Sequence, residues 1–326
     1  MDYLKLCLAV LVAFAHTSWM QTNTTPLLFV LGNGLMRLIV PLFCIVTGYF
    51  LQSAVARGKG RQWLWRVFLL YAFWMLLYLP FWLGEVHGLL SLVKVLVRGY
   101  FHLWFMAGIL LAGLMILGLR AIGERWLPGW HRLLVLAAAV CAVIGVGLQY
   151  VDLSGIVHVG AHKYANGLFA CFPFVSIGYL CGRRAARPGS DWPGKDRRLL
   201  VAAIVGACLL MAEAWLVQDR WGVMVMLDIP LASYLTAPPL FLLILATRMP
   251  RPPIRLDPIS AAIYFLHVMA LQLARALGVT ELAGLMLFAL GLPTLVALAC
   301  SRLPLPGLGT DPARHGPVVG AGGDQA

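Results

Sequence analysis

Six polar or ionisable side chains stand in or beside long apolar runs of this sequence: Lys5, His16, Asn33, Arg37, Glu213 and His267. A charged group in the middle of a bilayer costs about 2.5–3.5 kcal/mol on insertion scales, so each calls for a reason. Lys5 and His16 are eleven residues apart. At 100° per residue on a helix they share one face, separated along the axis by about 16 Å. Histidine takes up and gives back a proton near neutral pH, and a lysine on the same face supplies a fixed positive charge. Asn33, Arg37, Pro41 and Cys44 fall on one stripe of the next apolar run. If the two runs cross a membrane in opposite directions, Asn33 reaches a depth comparable to His16, and Glu213 reaches the same layer. The spacing therefore predicts a polar pocket in one half of the membrane with a basic mouth on the other side. For Arg37, a structural ion pair with Glu213 is the alternative to a substrate contact.

The elements that must hold these groups follow from composition. Of 326 residues, 61% are hydrophobic and 12% charged, and the mean hydropathy is +0.85. Soluble domains carry about 25% charged residues, so lipid is the expected solvent. The sequence predicts an all-α integral membrane protein with about ten transmembrane helices, at 3–20, 27–52, 63–83, 102–119, 132–150, 166–182, 199–217, 229–247, 259–277 and 283–301. Each run, of roughly 18–25 residues, is long enough to cross a hydrocarbon core of about 30 Å. The run 89–100 is too short and is expected to lie in the interface. The first run holds His16 and lacks a small-residue cleavage site, which favours a retained helix over a signal peptide. Residues 1–303 form the expected membrane domain, and the Gly- and Pro-rich stretch 304–326 a disordered cytoplasmic tail.

The net charge of +12 is better explained by topology than by nucleic acid. Lys94, Arg98, Lys163, Arg220 and Arg275 fall in one set of loops and Arg37 inside a span, while the remaining Lys and Arg fall on the other side. Positive residues favour the cytoplasm, so both termini are expected there. Seven cysteines without CxxC spacing read as small buried hydrophobes, and neither a metal site nor a nucleotide-binding loop is predicted.

Four segments carry a resemblance. Lys5, a ten-residue gap and His16 are similar to the basic-residue, ten-residue gap, histidine motif of the membrane-bound acyltransferase-3 family. The segment Val40-Pro41-Leu42-Phe43 through Thr47-Gly48-Tyr49 resembles its "VPLF…SGY" stretch, His102-Leu103-Trp104-Phe105 its "HLWF" signature, and Ile263-Tyr264-Phe265-Leu266-His267 its "IY" segment ending in histidine. Arg61 and Arg66 resemble its basic cluster. Lys5 stands where the family usually has Arg, which keeps the charge but loses the bidentate fork, and Thr47 stands where Ser is common.

The resemblance implies transfer of an acyl group, most commonly acetyl, from cytoplasmic acyl-CoA to a hydroxyl of a cell-surface sugar or lipid-linked saccharide. Acetyl-CoA is then a substrate and no cofactor is permanently bound. Lys5, Arg61 and Arg66 would meet the CoA phosphates, His16 would act as general base, and Arg37 or Asn33 would stabilise the oxyanion. His102, Trp104, Glu213, Tyr264 and His267 are the expected acceptor contacts. The implied setting is the bacterial inner membrane, with lipid around the chain and polysaccharide assembly proteins as associates. A transporter or flippase for a lipid-linked sugar or small metabolite, with the intramembrane charges as coupling groups, is the alternative. A non-catalytic scaffold of an export complex is a third, and it has no use for His16 on the face of Lys5.

Overall fold

The computed structural model describes residues 1–22, 25–126, 129–187, 189, 192–194, 196–222, 226–247 and 249–302. Residues 304–326, the expected tail, lie outside the described residues. The elements are helices: α1 (Asp2–Ala15), α2 (Trp19–Thr22), α3 (Pro26–Asn33), α4 (Ile39–Ala56), α5 (Gly60–Leu77), α6 (Leu79–Trp82), α7 (Leu89–Arg98), α8 (Trp104–Trp126), α9 (Trp130–Leu153), α10 (Phe172–Ala185), α11 (Arg197–Trp221), α12 (Ser233–Ala246), α13 (Leu256–Ala276) and α14 (Leu282–Arg302). Short 3-10 turns and one π-turn, Gly167–Cys171, join some of them. No strand occurs among the described residues. Leu76, Val143, Leu216, Leu295 and many other large apolar side chains are exposed, as a bundle solvated by lipid requires.

The count of spans corrects the expectation of ten. Among the described residues, six helices are long and apolar enough to cross a membrane, or up to seven if the bent pair Gly60–Leu77 and Leu79–Glu85 is one span. The predicted spans 3–20 and 229–247 contain α-helices of only 14 residues each, α1 and α12, and 166–182 runs from the π-turn into α10, whose last turn carries Arg183 and Arg184. At 1.5 Å per residue, 14 residues rise about 21 Å, short of the core thickness. Local chemistry stops α1 and α12. α1 ends at His16, where the Thr17 hydroxyl donates back to the Phe14 carbonyl oxygen and Ser18 takes a φ of 63°. The chain ahead of α12 is a turn in which the Ser233 hydroxyl donates to Pro230 O. In the bent pair, Pro80 lies just past the bend of 64°, where a missing N–H costs no interior bond.

The apolar run Pro26–Ala56 is itself broken. α3 stops at Asn33, Gly34 takes φ −97° and ψ −101°, and the 3-10 turn Leu35–Leu38 leads into α4. Below this break α4 crosses α10 back to back. A Cβ on Gly48 would run into the Val175 carbonyl, and one on Gly178 into the Ile45 carbonyl. Reciprocal glycines let the two backbones touch, the usual route to tight packing where lipid removes the hydrophobic drive. Small residues do the same between α1 and α13, where buried Ala9 and Ala13 share a cluster with Ile263 and Ala274. That contact delivers the end of α1 to the middle of α13.

Candidate active site

The α1–α13 contact brings His16 to His267, residues 251 positions apart in sequence. His16 Nδ1 lies 2.9 Å from the Val12 carbonyl oxygen, one turn back. His267 Nδ1 lies 2.9 Å from Ile263 O and 2.7 Å from Tyr264 O. A carbonyl only accepts, so Nδ1 carries the hydrogen on both rings. His267 Nε2 is then a lone pair, and it sits 3.1 Å from His16 Nδ1 as a second acceptor. This leaves His16 Nε2 as a lone pair with no proton to give, the tautomer a general base needs. His267 is fully buried, whereas His16 is half-buried and lines a cavity.

Two further contacts fix the His16 end of α1. Arg275, from the last turn of α13, donates from Nη2 to His16 O and to Thr17 O, both at 3.1 Å. These bonds satisfy carbonyls that the helix end would leave open. The Phe101 ring stands 5.0 Å from the His16 ring, and Phe101 has a φ of 42°. A bulky residue at positive φ is an outlier that persists only where its surroundings demand it.

The cavity encloses 1350 Å³ and its wall includes His16, Asn33, Arg37, Arg98, Trp104 and Asp228. Asn33 and Arg37 reach it because the break after α3 turns both side chains inward. Asn33 Oδ1 accepts from Arg37 Nη2 at 3.1 Å and from Leu227 N at 3.1 Å. Arg37 Nη1 donates to Asp228 Oδ1 at 3.2 Å. Burial pushes the Asp228 carboxyl above the ordinary carboxylate range, and the Arg37 guanidinium opposes the shift. Arg37 Nε is buried and has no hydrogen-bond partner among the described residues.

The other predicted residues divide. Trp104 lines the cavity, while His102, Tyr264 and His267 stand behind its wall. His102 is 4% exposed, and neither ring nitrogen has a hydrogen-bond partner among the described residues. Its ring lies 5.0 Å from that of His267, and the Tyr264 hydroxyl donates to its backbone carbonyl at 3.0 Å. Glu213 stands apart from the cavity and from Arg37. It accepts from Tyr150 Oη at 2.6 Å and from the backbone N–H groups of Leu231 and Ala232, both at 2.7 Å. The partner of Arg37 is therefore Asp228, in place of the expected Glu213. Lys5 is at the opposite end of α1 from His16, paired with Asp257 at 2.8 Å and 4.7 Å from the Phe50 ring centroid. Arg61 and Arg66 are exposed on α5. Asp228, Arg98 and Arg275 were not singled out by the sequence. The sequence signal for Asp228 is an acid two residues before Pro230, at the edge of an apolar run.

Comparison with known proteins bears on these elements. A family model described as an acyltransferase domain matches residues 1–302. The chain belongs to the acyltransferase-3 family. Acyl transfer by a multi-pass membrane protein is the chemistry of this family, and the match spans every element of the site. A curated protein described as an amino-acid racemase, from Enterococcus faecalis, is 29% identical over 141 residues, 38% of this chain. The aligned region is 20% of that relative's length, so the chain spans about a fifth of it. No solved structure matches.

Proposed function

We propose that this acyltransferase moves an acyl group, by preference acetyl, from cytoplasmic acyl-CoA to a hydroxyl of a cell-surface sugar or lipid-linked saccharide. It does so in the bacterial inner membrane with both termini in the cytoplasm, beside polysaccharide assembly proteins. The observation that carries this reading is the His16 ring, its Nδ1 within reach of Val12 O at 2.9 Å and His267 Nε2 at 3.1 Å, in the wall of the cavity that also holds Arg37.

A protonated sugar hydroxyl is a poor nucleophile. His16 Nε2 accepts its proton as the oxygen attacks the thioester carbonyl carbon. The resulting imidazolium keeps Nδ1–H directed at Val12 O and His267 Nε2, so the added charge meets two acceptors already in place. The tetrahedral oxyanion is held by the Arg37 guanidinium in the cavity wall. Such a donor in a site shielded from water is worth several kcal/mol. Collapse breaks the C–S bond, and the CoA thiolate recovers the proton from His16. Lys5, about 16 Å away along α1, meets the CoA phosphates together with Arg61 and Arg66, and the pantetheine arm carries the thioester between the two ends.

The test is transfer of label from radiolabelled acetyl-CoA in inverted membrane vesicles. Label in a glycolipid or polysaccharide fraction with wild type, and none with His16→Ala at equal membrane content, is the expected result. Unchanged transfer by His16→Ala would remove the base assignment. No consumption of acetyl-CoA with any envelope extract would favour a transporter that uses Arg37 and Asp228 as coupling groups.

A further inference from the structure

The cavity has a charged rim that the acyl-transfer reading does not use. Arg98, at the end of α7, and His162, in the loop between α9 and the π-turn, both line it. Lys94 is one turn before Arg98, and Lys163 follows His162. All four are exposed, and none forms an ion pair among the described residues. They are close enough to act on one another: partial desolvation, then Arg98, Lys163, His158 and Lys94, hold the His162 imidazole below its ordinary range. Asp152 is the neighbouring acid, and it is already engaged. It accepts from the backbone N–H groups of Val159 and Gly160, from Tyr164 Oη, and pairs with His158 at 3.3 Å. Asn166 donates to Lys163 O at 2.8 Å and caps the π-turn through Oδ1. The loop is thus held from both ends with its cations displayed. Like charges collected at a cavity mouth without a counter-ion recruit an anion.

α7 says where that anion comes from. On a helical wheel Leu89, Leu90, Val93, Leu96 and Val97 occupy one arc of about 120°, and all five are exposed. Lys94 and Arg98 occupy the adjacent arc. Leu92 and Val95 form the third arc and pack on the bundle core. Ten residues make a helix of about 15 Å, too short to span. A helix with an exposed apolar arc beside a cationic one lies in the membrane interface, its apolar side among acyl chains. Leu96 and Val97 also line the cavity, so the apolar arc and the charged rim are continuous with it.

We infer that Lys94, Arg98, His162 and Lys163 form a binding site for the phosphate group of a membrane-embedded amphiphile, a phosphate or diphosphate ester of a long-chain alcohol, whose chain lies along the apolar arc of α7. As the acceptor's anchor this rests on the acyl-transfer reading, but the binding site stands on the rim alone. An ester held this way extends whatever it carries beyond the phosphate into the cavity, toward His16.

The experiment is calorimetric titration of the full-length protein in neutral detergent with farnesyl monophosphate, farnesol and inorganic phosphate. Farnesyl phosphate is expected to bind at least tenfold more tightly than either. The Lys94→Gln/Arg98→Gln variant should lose at least tenfold for farnesyl phosphate with farnesol unchanged, and Lys94→Arg/Arg98→Lys should retain binding. Equal affinity for farnesol and its phosphate, or no effect of the glutamine pair, would overturn the proposal. Inorganic phosphate binding as tightly as the ester would mark a soluble-anion site and overturn the amphiphile. Farnesyl phosphate binding without any acyl transfer would leave the site standing and remove the enzymatic reading. Acyl transfer without that binding would do the reverse.

Discussion

At the scale of single residues the site rests on which nitrogen holds a hydrogen. Val12 O and the two carbonyls at His267 assign those hydrogens by chemistry alone, and the lone pair on His16 Nε2 follows. His16→Ala is expected to cost about 10²–10⁴ in kcat, the usual contribution of a positioned base. If His16 is the base, His267 acts one step back, through the contact at 3.1 Å. His267→Ala leaves the Val12 bond in place, so the loss should be smaller, about 10–100-fold. It should fall on kcat with the KM for acetyl-CoA unchanged, and His267→Gln, which keeps an acceptor, should recover part of it. A KM effect in steady-state assays on membranes would make His267 a substrate contact. None of this pairing is legible in the sequence, where depth along a helix can be counted but the neighbour of a helix cannot. Arg37 shows the same gap: the right layer pointed to Glu213, and the loop acid Asp228 holds it instead.

At the scale of elements, hydropathy marks where the chain is apolar and is silent on where a helix stops. The runs around 3–20 and 229–247 are mostly apolar, yet polar backbone groups are bonded locally at His16 and before α12. Glu213 belongs to this scale. Its carboxylate caps the start of α12 through Leu231 N and Ala232 N, which satisfies N–H groups otherwise open at a helix start. Hydrogen bonds to a charged group contribute about 1.5–3 kcal/mol. Glu213→Ala should therefore lower the thermal unfolding midpoint in detergent while transfer per folded molecule stays near wild type; loss of transfer without loss of stability would return Glu213 to the site. Gly48 is a second element-scale position. Gly48→Ala places a methyl against the Val175 carbonyl. Overpacking alone costs about 1–3 kcal/mol, and here the obstacle is backbone, so the folded yield by size-exclusion chromatography should fall sharply.

At the scale of the whole molecule α1 carries Lys5 near one end and His16 at the other. The spacing of eleven residues puts both side chains on one face of the helix; His16 is in the cavity wall and Lys5 is not. Lys5 is held by Asp257 at 2.8 Å, with both side chains partly exposed. A pair so exposed contributes at most about 1 kcal/mol, little enough for an incoming phosphate to displace the carboxylate. Asp257 then competes with the donor for Lys5. If Lys5 meets the CoA phosphates, Asp257→Asn should lower the KM for acetyl-CoA and Lys5→Glu should raise it, each about five- to tenfold, with the first effect shrinking as salt screens the competitor. Lys5→Arg should keep the wild-type KM or improve it, because the guanidinium fork suits phosphate better. His16→Ala should leave the KM alone, since the base lies at the far end. If Asp257→Asn and Lys5→Glu left the KM equal in vesicles with their cytoplasmic face outward, the donor would enter elsewhere, and the two ends of α1 would not divide the reaction between donor binding and proton transfer.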